Sequence, residues 1–237
     1  HKSIGGYHAA KLRRYQDLIE RHIAPEMEKA MPAVAQAQGD MTQVAGDSIF
    51  PVINMLNAKY FIFPLQGGQT LPIANPYAMG NAWMVDSITY VGNANEEIDA
   101  LDDIDLHHVA VARNEFKTVL GEGTKQDSLA AVALVAYEPN DLKYEVKTDK
   151  GGILVFSEIY YPGWAATVDG QPVELGRVDY VLRALQIQPG KHQVELAFFP
   201  KTVDRTETIA YVALAVLLLL LLYVVGRQVY PLLCNKE

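Results

Sequence analysis

Residues 208–226 read TIAYVALAVLLLLLLYVVG, nineteen positions with no charge between Glu207 and Arg227. At about 1.5 Å per helical residue they span roughly 28 Å, close to the hydrocarbon thickness of a bilayer. Leu217 to Leu222 is an unbroken leucine run, which a water-facing helix would not carry. Tyr211, Tyr223 and Tyr230 suit the two interfaces, where amphipathic rings settle. The alternative is a fully buried core helix, but a chain of 237 residues offers little protein to surround one. A transmembrane helix is therefore expected at 208–226, with a short cytoplasmic tail at 227–237. Lys201 and Arg205 precede the segment and Arg227 and Lys236 follow it, so counting basic residues does not orient it.

Outward from this helix, the chain before it is acidic. The formal net charge is −8, and the tail after Gly226 adds only Arg227, Lys236 and Glu237. A nucleic-acid partner is not expected, because phosphate binding needs clustered Lys and Arg. The single cysteine, Cys234, excludes an internal disulfide. The chain opens on His1 without a charged-then-apolar leader, and we read it as a piece of a longer protein.

The period of the apolar residues changes along the chain. Leu12, Tyr15, Ile19 and Ile23 recur every three or four positions and predict a helix over 3–24, with Ser3 as a candidate cap. Pro25 breaks this helix or opens the next, expected from Glu26 to about Gln38. Asp47 or Ser48 is the expected cap of a short helix, SIFPVINML. Ala58–Phe63 then predicts a strand ended by Pro64, and a strand is expected from Trp83 to Val91. Asn93–Leu101 predicts a short acidic helix, and His108–Arg113 a strand.

From Ala130 onward the period is close to two, as half-buried strands require. Leu142, Tyr144 and Val146 alternate with Lys143, Glu145 and Lys147, and Val194, Leu196 and Phe198 with Gln193, Glu195 and Ala197. Ile153–Ile159 predicts a central strand. Asp169-Gly170 predicts a hairpin, lengthened by Gln171-Pro172. Closely spaced strands with turn chemistry between them indicate an antiparallel sandwich. The expected fold is α+β: helices within 1–65, a β-sandwich-like domain over 66–200, then the membrane helix.

Chemistry-bearing residues are sparse. Tyr160, Tyr161 and Trp164 surround Pro162-Gly163, and exposed rings there could stack on a sugar face; the alternative is that they pack on the core. Arg13 and Arg14 on the first helix could meet lipid phosphates; the alternative is a solvated helix face. Asp99, Asp102, Asp103 and Asp105, with Glu96 and Glu97, form an acidic run without the Gly and terminal Glu of an EF-hand loop, and read as a solvated turn. His107 and His108 read as strand residues facing opposite ways. There is no Gly-x-Ser-x-Gly, no phosphate-binding glycine loop and no HExxH. No catalytic residue, metal ligand or cofactor is assigned.

Five stretches carry a family resemblance: HKSIGGYHAAKLRRYQDLIERHI at 1–23, INMLNAKYFIF at 53–63, NPYAMGNAWMV at 75–85, FSEIYYPGWAATVDGQPVEL at 156–175 and RVDYVLRALQIQPGKHQVELAFFP at 177–200. In this order, ahead of a terminal membrane helix, they resemble the YfhO-like bacterial membrane proteins. The resemblance implies a C-terminal extracytoplasmic domain and last helix of a many-pass protein of the bacterial cytoplasmic (inner) membrane. It further implies a glycosyltransferase-C type membrane core that moves sugars from lipid-phosphate carriers onto envelope polymers, one Gram-positive branch being linked to lipoteichoic acid glycosylation. The catalytic acidic residues of such a core lie in early loops that match nothing here. The partners so implied are the lipid bilayer, the membrane core and a glycan or lipid-linked sugar. The other expectation is a scaffold module that binds glycans or a partner protein without chemistry.

Overall fold

The computed structural model describes residues 4, 12–64, 66–123 and 127–234; the predicted Ser3 cap and the first turns of the predicted first helix lie outside them. The chain divides into two compact units, residues 1–161 with 165–197, and residues 162–164 with 198–237.

The first unit starts with helix α1 (Arg13–Leu18), a π-helical turn (Ile19–Ile23) and helix α2 (Ala24–Gln36). Pro25 does not break the helix. It occupies the start of α2, where its missing N–H costs least. Leu18, Ile23, Ala30 and Val34 form the buried stripe of this rod.

Helices α3 (Gly46–Ile49) and α4 (Pro51–Met55) follow. Neither is capped by Asp47 or Ser48. Instead the Glu26 carboxylate, reaching across from α2, accepts the Val52 and Ile53 N–H groups at 2.9 Å each. The burial that this position demands pushes the Glu26 carboxyl up to about 7, and the two N–H groups oppose the rise.

Among the described residues the strands form four sheets. β1 (Tyr60–Pro64) and β2 (Thr70–Ala74) make an antiparallel hairpin. β3 (Ala82–Val85) joins a four-stranded sheet, whereas β4 (Ser87–Val91) pairs in parallel with β5 (Val109–Arg113). The expected single strand from Trp83 to Val91 is thus two strands in two sheets. They part at Asp86, whose N–H donates to the His108 carbonyl. Helix α5 (Ala94–Asp99) supplies the crossover that a parallel pair needs. After α6 (Lys117–Leu120) come β6 (Ala131–Glu138), β7 (Asp141–Thr148), β8 (Gly152–Ile159), β9 (Trp164–Val168) and β10 (Gln171–Val173). β11 (Gly176–Val178), β12 (Leu182–Ile187) and β13 (Gly190–Phe198) complete them. The larger sheets run β10-β9-β13-β7-β6 and β11-β12-β8-β3.

Alternation along β8 sets the layering. Ile153 and Val155 belong to a core shared with Leu18, Phe50, Ile53 and Ile98 from the helices. On the opposite face Phe156 meets Tyr144 of β7, ring centroids 5.0 Å apart. The four-stranded sheet is therefore covered on one side by helices and on the other by the five-stranded sheet. This explains why Gly152 to Phe156 is buried without interruption. The sandwich-like α+β fold expected from the sequence is present, with the parallel β4–β5 pair as an addition. One turn is shorter than expected. Val168 pairs with Gln171, so Asp169 and Gly170 alone form the loop, and Pro172 sits on the edge strand β10, where a lacking N–H is tolerated.

The second unit contains the Pro162–Trp164 segment and helix α7 (Lys201–Cys234), which outruns the charge-free stretch at both ends. Thr206–Arg227 is long and apolar enough to cross a membrane, and none of it is buried by protein. Leu217, Leu219 and Leu222 are each more than 60% exposed. A helix apolar on every face and covered by no protein has lipid as its matching solvent.

Candidate functional site

Asp179 and Tyr180 link β11 to β12, both with left-handed backbone (φ 49° and 69°). Asp tolerates this region locally; a bulky Tyr does not, so the turn holds strain that the surroundings must offset. What holds it is visible. The Asp179 N–H donates to the Val111 carbonyl at 2.7 Å, and the Val111 N–H donates to Asp179 Oδ1 at 2.8 Å. Asp179 is fully buried and its Oδ2 has no partner. Burial, with a smaller push from the nearby Glu97 charge, raises its carboxyl to about 8 despite the Val111 hydrogen bond. At neutral pH it is therefore held as the acid.

Tyr180 faces α1. Its hydroxyl donates to Asp17 at 2.9 Å, the Arg14 guanidinium lies 4.4 Å over its ring, and its carbonyl accepts from Arg14 at 3.1 Å. Arg14 Nη1 also donates to Glu97 Oε2 at 2.9 Å. Glu97 is fully buried, so the acidic run around it is not wholly a solvated turn. Arg177 approaches the same carboxylate at 3.7 Å and Glu115 at 3.6 Å, and its Nε and Nη2 have no hydrogen-bond partner. Its guanidinium lies 5.1 Å from the Phe116 ring and 5.9 Å from the Tyr160 ring. Burial lowers the Arg177 pKa and the Glu97 charge raises it.

The structure thus brings two predicted contact residues, Arg14 and Tyr160, to one cluster, linked by Glu97 and Arg177. Both are half-buried. Arg13, one position earlier, is exposed. Tyr161 is 47% exposed. Trp164 belongs to the second unit, where its ring lies 5.3 Å from Phe198 and the Phe199 N–H donates to the Gly163 carbonyl at 2.7 Å. His107 and His108 are not in the strand; they lie in the turn before β5, His107 3.3 Å from Asp47 and His108 2.9 Å from Asp86. Among the described residues no three His, Cys, Asp or Glu side chains stand close enough to hold a metal.

Chemically this cluster is a clasp. Its guanidiniums and carboxylates neutralise one another, and they fasten α1 and α5 to the β11–β12 turn. Sequence reading missed Glu97, Arg177, Asp179 and Tyr180 as a group. The one local signal was Asp-Tyr set between apolar strand residues at 178–181, where a polar residue marks a left-handed turn.

Residues 101–210 match the family model described as bacterial membrane protein YfhO. No curated protein and no solved structure matches the chain.

Proposed function

We propose that this chain, a YfhO-like bacterial membrane protein, serves as an extracytoplasmic accessory domain and membrane anchor of a lipid-carrier-dependent envelope glycosyltransferase. The β-rich unit covers or orients an acceptor above an active site supplied by other membrane segments. The observation that carries this reading is the family match over 101–210, which runs from the β-rich unit into an apolar helix that no protein covers. In the same reading the domain lies outside the cytoplasmic membrane. Tyr161 is the more exposed of Tyr160 and Tyr161 and is the one offered to a glycan, and Arg13 is the exposed cation of α1 available to lipid phosphates. Arg14 is committed to Glu97 instead.

The test is glycosyl transfer from a lipid-linked sugar by the complete membrane protein, with and without residues 66–200. Loss of transfer, with the protein still present in the membrane, is the expected result. Full transfer without the domain overturns the proposal.

A further inference from the structure

From Tyr60 to Val85 the chain carries no charged residue, a gap of twenty-six positions in a protein with 48 charged side chains. The β1–β2 hairpin occupies its first half. Its inner face is tied to the core by Phe61, paired across the strands with Ile73. The register places Tyr60, Ile62 and Pro64 on the opposite face, across from Ala74, Pro72 and Thr70. All six are exposed, Tyr60 by 61% and Ile62 by 54%, and Leu71 near the tip is 47% exposed. A strand pair of this length reaches about 17 Å.

We propose that this hairpin lies against the lipid surface, its outer face and tip entering the headgroup–acyl boundary of the bilayer that α7 spans. The proposal rests on the reading of α7 as a membrane helix. Four observations favour lipid as the occupant. Only Phe199 and Pro200 separate β13 from α7, so chain connectivity holds the domain at a bilayer at high effective concentration. The remainder of the chain is acidic and is repelled by anionic headgroups, whereas the hairpin presents no charge to desolvate. Lys59 and Tyr60 at the base are both exposed, an ammonium and a phenol of the kind that settle at headgroup level. Pro64 and Pro72, one on each strand, supply no N–H groups. This removes two donors that lipid would leave unpaired, and it spoils both edges for pairing with a strand of a second copy.

The test uses the full chain with Cys234→Ser, reconstituted in phosphatidylcholine–phosphatidylglycerol vesicles. An environment-sensitive fluorophore is placed in turn at Ile62→Cys, Asp149→Cys and Leu219→Cys. Lipids bearing an acyl-chain nitroxide should quench the probe at 62 by about twofold or more, as for an element buried at the interface, and leave the probe at 149 unquenched. Quenching at 219 but not at 62 overturns the hairpin proposal and leaves the membrane span intact. Absence of quenching at 219 overturns the span and the proposal with it. Emission at 62 that responds to protein density and not to nitroxide lipid assigns the face to a second copy and overturns the proposal.

Discussion

Asp179 concentrates the electrostatics of the fold in one side chain. Its carboxyl moves from an ordinary 3.8 to about 8 on folding because it is sealed from water, and Glu26 moves from 4.5 to about 7 for the same reason. Both shifts are upward, so the folded chain binds more protons than the unfolded chain between the paired values. The stability they contribute is complete below pH 4, and it is lost as pH rises towards 7 for Glu26 and towards 8 for Asp179. The melting temperature of the detergent-solubilised chain, followed by tryptophan fluorescence, should therefore fall between pH 6 and pH 9. For Asp179→Asn the fall should be smaller by on the order of 5 °C, or about 2 kcal/mol. Asn keeps an acceptor for the Val111 N–H and tolerates the left-handed backbone, while it cannot ionise. A wild-type melting temperature that rises over this range contradicts the assignment. At this scale little was legible in advance. A buried carboxylate such as Glu97 is indistinguishable in sequence from its exposed neighbours Glu96 and Asp99, because its partners Arg14 and Arg177 are about eighty residues away on either side.

At the scale of elements, periodicity carried the reading. The alternation in β7 and β13 and the apolar stripe of α1 and α2 follow from side chains meeting water on one face only. What failed was wherever a distant group replaced a local one. Helix α4 takes its cap from Glu26 across space, so the neighbouring Asp47 and Ser48 do not cap it. The parallel β4–β5 pair escaped notice because its strands share one pattern with antiparallel ones. The first helix gives the clearest prediction. Its docking depends on Arg14, not Arg13. Arg14→Met strips the closest counter-ion from the fully buried Glu97 and should cost about 3 kcal/mol. Arg13→Met alters an exposed side chain and should stay within about 0.5 kcal/mol. Hydrogen exchange along α1, read beside urea denaturation, distinguishes the two. Equal effects would show that the clasp does not hold the helix.

On the scale of the whole molecule, the acidic β-rich unit and the bare apolar helix require different solvents. The helix was the most legible feature, since nineteen uncharged residues have few alternatives to lipid. The function was the least legible, because the sequence carries no recognised nucleophile motif, metal-ligand set or phosphate loop, and the aromatic residues of the 160–164 loop divide between the two units. The central claim is a domain on the outer side of a membrane with the chain's end on the inner side. Labelling of Asp149→Cys and the native Cys234 by a membrane-impermeant maleimide in bacterial cells measures both positions together. The account predicts that residue 149 reacts in intact cells and Cys234 only after permeabilisation; reaction of both on the same side would contradict it.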